Sequence, residues 1–124
     1  MFNSFKQYEK EYLDWLHSGY EGTNVFTQDF IANLLEQDKK NRLWRHQEEA
    51  FLRTVYSYEV LGRKNLLLNI VTGGGKTAII AAVIAWLRSC HNIQSFLIMV
   101  PNLIVRDRLE TDFKDKSVFR KFKL

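Results

Sequence analysis

The sequence predicts an α/β protein, part of a parallel sheet with helices on both faces, preceded by an N-terminal helical arm. Two observations carry that prediction. From residue 65 onward the chain reads strand, helix, strand, helix, whereas residues 1–42 show helical spacing only. The two predicted strands, 65–71 (NLLLNIV) and 94–100 (QSFLIMV), are nearly continuous apolar runs, the pattern of strands covered on both sides.

Each element has its own signal. Ser4 with Gln7 reads as a capping box, and Phe5, Tyr8, Tyr12, Trp15 and Leu16 recur at helical spacing, which predicts a first helix over 5–17. Gly19 and Gly22 mark a loop. Thr27 is placed to cap a short second helix whose apolar face is Phe30, Ile31, Leu34 and Leu35. The polar stretch 37–42 is the boundary between a helical arm, 1–42, and the remainder, 43–124.

A third helix is predicted over 44–61, closed by Gly62 at the position that favours glycine after a helix end. The helix predicted over 77–89 is apolar almost all round, as suits packing between a sheet and other elements. Pro101 stops the second strand, and Asn102 is placed to cap a last helix over 103–113.

With 124 residues, 46% of them hydrophobic, the chain can bury one core without disulfides or metal. Its single cysteine, Cys90, can form no internal bridge, and no Cys and His cluster has zinc-ligand spacing. A soluble protein in the cytoplasm fits best. The start MFNSFKQYEKEYLDWL has no apolar core of a leader peptide, and the longest apolar run, 78–87, is too short to cross a bilayer, so no membrane partner is expected.

Charge is unevenly spread. Residues 1–37 hold two lysines against six acids, a balance of −4, which leaves +8 on the rest of a chain whose total is +4. A surplus of that kind admits polyanionic partners such as nucleic acid, and it also serves plain solubility.

Between the first predicted strand and its helix lies Thr72-Gly73-Gly74-Gly75-Lys76-Thr77. Glycines let successive backbone N–H groups converge on phosphate oxygens, and the following helix begins at its partly positive end. Lys76 then serves as a point charge for the β and γ phosphates, and the Thr77 hydroxyl as a ligand for Mg²⁺. A glycine triplet alone is more often a bare turn between strand and helix. The Lys-Thr pair, set between an apolar run and a helix, selects the phosphate loop. The strict pattern G-x-x-x-x-G-K-[ST] fails only at its first glycine, where this chain has Ile70.

From Ile70 to Thr77 the chain, IVTGGGKT, resembles motif I of superfamily-two helicases and translocases, whose loops commonly begin with Ala or Met. Two flanking segments sharpen the likeness. Leu43 to Ala50 (LWRHQEEA) resembles the adenine-reading element of the restriction-enzyme branch; Gln47, 29 residues before Lys76, stands at the glutamine that pairs with the adenine edge there. His46 falls at the neighbouring aromatic position, while Trp44 stands where that family usually has Arg. Phe96 to Leu109 (FLIMVPNLIVRDRL) resembles motif Ia and its helix, and is especially similar to the motor subunits of type III restriction enzymes.

The resemblance implies a partial RecA-like P-loop lobe over 43–124, cut after motif Ia, belonging to an ATP-dependent DNA translocase similar to the type III Res subunit. It implies ATP and Mg²⁺ as cofactors, with Gln47, Thr72, Gly73, Gly74, Gly75, Lys76 and Thr77 holding them. Asn102 and Arg106 would meet a nucleic-acid backbone, although Arg106, Asp107, Arg108 and Glu110 also read as a solvated, salt-bridged helix face. Partners implied for the parent are double-stranded DNA, the rest of the motor, and a methyltransferase or specificity subunit. Hydrolysis in that superfamily needs an acidic motif on a further strand, and Asp112 and Asp115 have no buried run before them. ATP binding without turnover is therefore the expectation for this chain. Two other readings stay open: a small P-loop kinase, and a nucleotide-binding interaction module without enzymatic activity.

Overall fold

The computed structural model describes residues 2–70, 75–99, 103–114, 116 and 119–120. Among these, the chain forms five α-helices: α1 (Phe2–His17), α2 (Val25–Leu35), α3 (Arg45–Val55), α4 (Lys76–His91) and α5 (Leu103–Lys114). A single π-helical turn, Tyr56–Val60, continues α3. Gly62, with φ of 68°, follows this turn in the left-handed region, as its place after a helix requires.

The predicted parallel sheet is not there, and the α/β assignment is corrected to all-helical for the described residues. Residues 65–70 and 94–99 carry no strand. Their side chains alternate all the same. Leu67, Leu97 and Met99 are 91%, 86% and 84% exposed, whereas Leu66, Leu68, Phe96 and Ile98 are markedly less so. The less exposed set lines a space of about 330 Å³ together with Ile79, Ile80, Val83, Ile84 and Leu87 of α4. Each run thus has one side near a helix and the other in solvent. A buried parallel sheet needs cover on both faces, and two short segments alone gain too little from pairing to form a ladder. Val71 and Val100, the last residues of the two predicted strands, lie outside the described residues.

The helix starts also shift. Because α1 already runs from Phe2, Ser4 lies in its first turn rather than at a cap, and the Gln7 amide donates to Glu11 at 3.0 Å. Asn24, not Thr27, caps α2: its side-chain oxygen accepts the Phe26 N–H at 2.8 Å. Thr27 lies within the helix, fully buried. At the far end of α4, Asn92 adopts φ of 54°, a left-handed cap that asparagine tolerates well.

One core joins the arm to the rest of the chain. Trp86, Phe51, Ile31 and Val55 are fully buried and belong to the same cluster as Tyr12, Trp15, Leu34 and Tyr56. The aromatic stripe of α1 packs on Tyr56: its ring lies 5.2 Å from that of Trp15 and 5.6 Å from that of Tyr12. Farther along, Phe51 of α3 meets Trp86 edge-on at 6.0 Å and Phe30 of α2 at 5.7 Å. Such tilted pairs add to the burial of the rings themselves.

Polar contacts fasten the same helices. The Arg53 guanidinium grips both oxygens of Glu9, at 2.7 and 3.0 Å, reaches Glu49 at 3.0 Å, and lies 4.2 Å from the Tyr12 ring centroid. The Glu9 hydrogen bond holds Arg53 charged more firmly than an ordinary arginine. Burial pushes the Tyr12 phenol up to about 12, against the opposing pull of Arg53. Glu59 accepts the Asn24 N–H at 2.9 Å, and its other oxygen lies 3.3 Å from Nε2 of His91, so the start of α2, the π turn and the end of α4 meet. The Cys90 thiol is unbridged, and burial raises its pKa. No helix among the described residues is long and apolar enough to cross a membrane.

Candidate functional site

The site forms where the first turn of α3 meets the first turn of α4. Trp44 precedes α3 in an extended conformation, and its side chain makes no capping bond. Gln47, three residues on, supplies what is missing: its Oε1 accepts the Trp44 backbone N–H at 2.8 Å. This is one half of a capping box, and it fixes the Gln47 side chain against the helix start.

The other end of the same amide faces the loop. Gln47 Nε2 donates to the Gly75 carbonyl at 3.1 Å, across 28 residues of sequence. That carbonyl also accepts the Ala78 N–H at 3.1 Å. Gln47 is only 3% exposed, so the bond is shielded from competing water. Gly75 occupies the left-handed region, with φ of 72° and ψ of 47°, directly before α4. A Cβ there would overlap the Gln47 amide nitrogen. The left-handed conformation favours glycine at this position, and a side chain there would push the Gln47 amide aside.

Lys76 opens α4, with its side chain exposed, and Thr77 follows, half-buried. The first N–H groups of a helix have no acceptor within it and carry the positive end of its dipole. The turn so built offers a cation, a hydroxyl and backbone donors within two residues of a glycine held from behind. The set fits the phosphate groups of a nucleotide, and Thr77 fits one ligand position on a divalent cation. Among the described residues no group of three or more His, Cys, Asp and Glu side chains is placed to hold a metal ion, so such a cation would rely on phosphate oxygens and water beside Thr77.

The residues predicted from sequence divide as follows. Gln47, Gly75, Lys76 and Thr77 are brought together at this junction. Thr72, Gly73, Gly74 and Asn102 lie outside the described residues. Arg106 stands apart on α5, 60% exposed, with its guanidinium 3.3 Å from the neighbouring Asp107 carboxylate.

Sequence reasoning named Trp44 and His46 but not their contact, and it missed the Arg42 clamp altogether. Trp44 is 60% exposed and its ring lies 5.7 Å from that of His46, which puts an aromatic pair at the mouth of the junction. Arg42 hydrogen-bonds both oxygens of Glu48, clamping the approach to α3. The charge pattern R-x-x-x-x-x-E carries no helical spacing, so no local rule would have paired them.

No curated protein and no solved structure matches the chain. A family model described as type III restriction enzyme, res subunit, matches residues 40–122, well over half of the chain and the whole of the α3 to α4 junction. The chain belongs to that family, ResIII.

Proposed function

We propose that this chain is the ATP-binding part of a DNA translocase of the type III restriction Res kind. The observation that carries the reading is the bond from Gln47 to the Gly75 carbonyl, immediately before Lys76 and Thr77. It joins the segment that resembles an adenine reader to the segment that resembles a phosphate loop. In this reading Thr72 to Gly75 supply backbone N–H groups to the triphosphate, Lys76 neutralises its outer phosphates, and Thr77 holds Mg²⁺. Gln47 stands beside the base. Bound Mg²⁺ would supply charge neutralisation between the β and γ phosphates.

The parent protein would act on double-stranded DNA beside a methyltransferase or specificity subunit, with Asn102 and Arg106 near the nucleic-acid backbone. The test is calorimetric titration of the chain with ATP, with and without Mg²⁺. Saturable binding that strengthens with Mg²⁺ is the expected result. Absence of binding at millimolar ATP in the presence of Mg²⁺ would overturn the assignment.

A further inference from the structure

We infer that Gln47 is a positioning residue for the phosphate loop, acting through the Gly75 carbonyl, so that triphosphate affinity depends on it even when no base is present. The inference rests on the nucleotide-site reading and deepens it.

The geometry is specific. An amide side chain has one acceptor oxygen and two N–H donors, and here it spans two backbone groups of different elements: the Trp44 N–H on one side and the Gly75 carbonyl on the other. Trp44 and Gln47 move as part of α3, which is anchored in the core by Phe51, Leu52 and Val55. Gly75 and Lys76 move with α4, anchored by Ala78, Ala82 and Trp86. Gln47 therefore ties the start of α4 to the start of α3, a second helix fixed in the same core. Its burial keeps water from exchanging for either bond.

Gly75 is shaped to the same contact. Its carbonyl accepts from both Gln47 and Ala78, so the peptide that leads into Lys76 is held from two sides. The peptide orientation decides where the N–H of Lys76 points, since that N–H shares its plane with the Gly75 carbonyl. A donor lost from Gln47 leaves this plane held by the Ala78 N–H alone, so the first N–H of α4 is less firmly directed toward phosphate. A residue that only reads a base would leave the phosphate end untouched.

The experiment measures the Kd of Mg²⁺-tripolyphosphate, Mg²⁺-ATP and Mg²⁺-GTP for the unaltered chain, Gln47→Glu and Gln47→Ala, with ligand-free melting curves alongside. Gln47→Glu keeps the shape and an acceptor for Trp44 but removes the donor to Gly75; because it also adds a negative charge beside the phosphates, the neutral Gln47→Met is titrated with it, and the two together decide the matter if Gln47→Ala melts early. Tripolyphosphate affinity should fall about tenfold in each of these variants, the worth of about one buried hydrogen bond. Both nucleotides should lose at least as much. Gly75→Ala, which displaces the same amide, should cost less in the Gln47→Ala background than in the unaltered chain. Tripolyphosphate affinity unchanged in Gln47→Glu or Gln47→Met, with only ATP weakened, would overturn the inference and leave Gln47 a base reader alone. An unaltered chain that binds none of the three ligands would overturn the nucleotide-site reading, and this inference with it.

Discussion

The indole N–H of Trp86 donates to the Thr27 hydroxyl at 3.0 Å, a bond between two fully buried side chains 59 residues apart. It joins α2 of the arm to α4, the helix that begins at Lys76. A hydroxyl inside a helix is ordinarily neutral or mildly unfavourable. Here it answers a buried donor that would otherwise be orphaned, and it explains why a threonine sits within an apolar face.

Thr27→Val keeps the volume and removes the acceptor, leaving the Trp86 N–H buried without its partner. Stability should fall by about 1–2 kcal/mol, the range for one unsatisfied buried donor. Urea unfolding checks this: the midpoint should drop with the slope unchanged. An unmoved midpoint would mean that the bond contributes nothing net.

Arg53 and Arg42 make a contrast in the worth of an ion pair. Arg53 is largely shielded, two-pronged on Glu9 and stacked near Tyr12, whereas Arg42 meets Glu48 at the surface. Arg53→Lys keeps the charge and loses the fork, and should cost about 1–2 kcal/mol. Arg42→Ala should cost under about 1 kcal/mol. Equal losses from the two substitutions in thermal unfolding would contradict the assignment of Arg53 as the fastening between α1 and α3.

Alkali should loosen the α1 packing at a predictable place. Burial favours the neutral Tyr12 phenol in the folded chain and raises its pKa to about 12 from an ordinary value of 10. The stability this represents is whole below pH 10 and is lost as pH rises from 10 towards 12, because the unfolded chain releases the proton first. Tyr12→Phe should remove part of that decline. Unfolding free energy measured from pH 9 to 12 in both proteins checks it, and parallel curves would refute it.

Two glycines with the same backbone sign should respond differently to alanine. Gly62 has φ of 68° with open space around a notional Cβ, so Gly62→Ala costs only the left-handed conformation, about 1 kcal/mol. Gly75 adds an overlap with the Gln47 amide. Gly75→Ala should therefore destabilise by more than Gly62→Ala, and it alone should weaken triphosphate binding. Unfolding curves and a tripolyphosphate titration of the two variants read the difference; equal behaviour in both would deny Gly75 a special role.

Local pattern made three features legible in sequence. Tyr8, Tyr12 and Trp15 lie on one face because their spacing is helical, and they do pack inward. Gly62 follows a helix end, as expected. A helix follows the glycines, starting at Lys76, one residue before the expected Thr77. The predicted sheet failed because NLLLNIV and QSFLIMV state only that these runs are apolar, not what would cover them. With α4 on one side and solvent on the other, Leu67, Leu97 and Met99 stay bare and no ladder forms. Thr27 was misread as a cap for a related reason: capping is a local rule, whereas the hydroxyl's partner, Trp86, is 59 residues away. The Gln47 amide shows the same limit. Its residue type was legible, but its grip on both Trp44 and Gly75 depends on how two helices cross.

The proposed triphosphate site in the first turn of α4 stands or falls with Lys76. Calorimetric titration of Mg²⁺-ATP into the unaltered chain and into Lys76→Ala tests it most directly, since Lys76 is exposed and its loss should leave the fold intact. Removing a charge-assisted contact to phosphate should weaken binding about tenfold to a hundredfold, with the melting temperature unchanged. The same affinity in both proteins would remove Lys76 from the phosphate site.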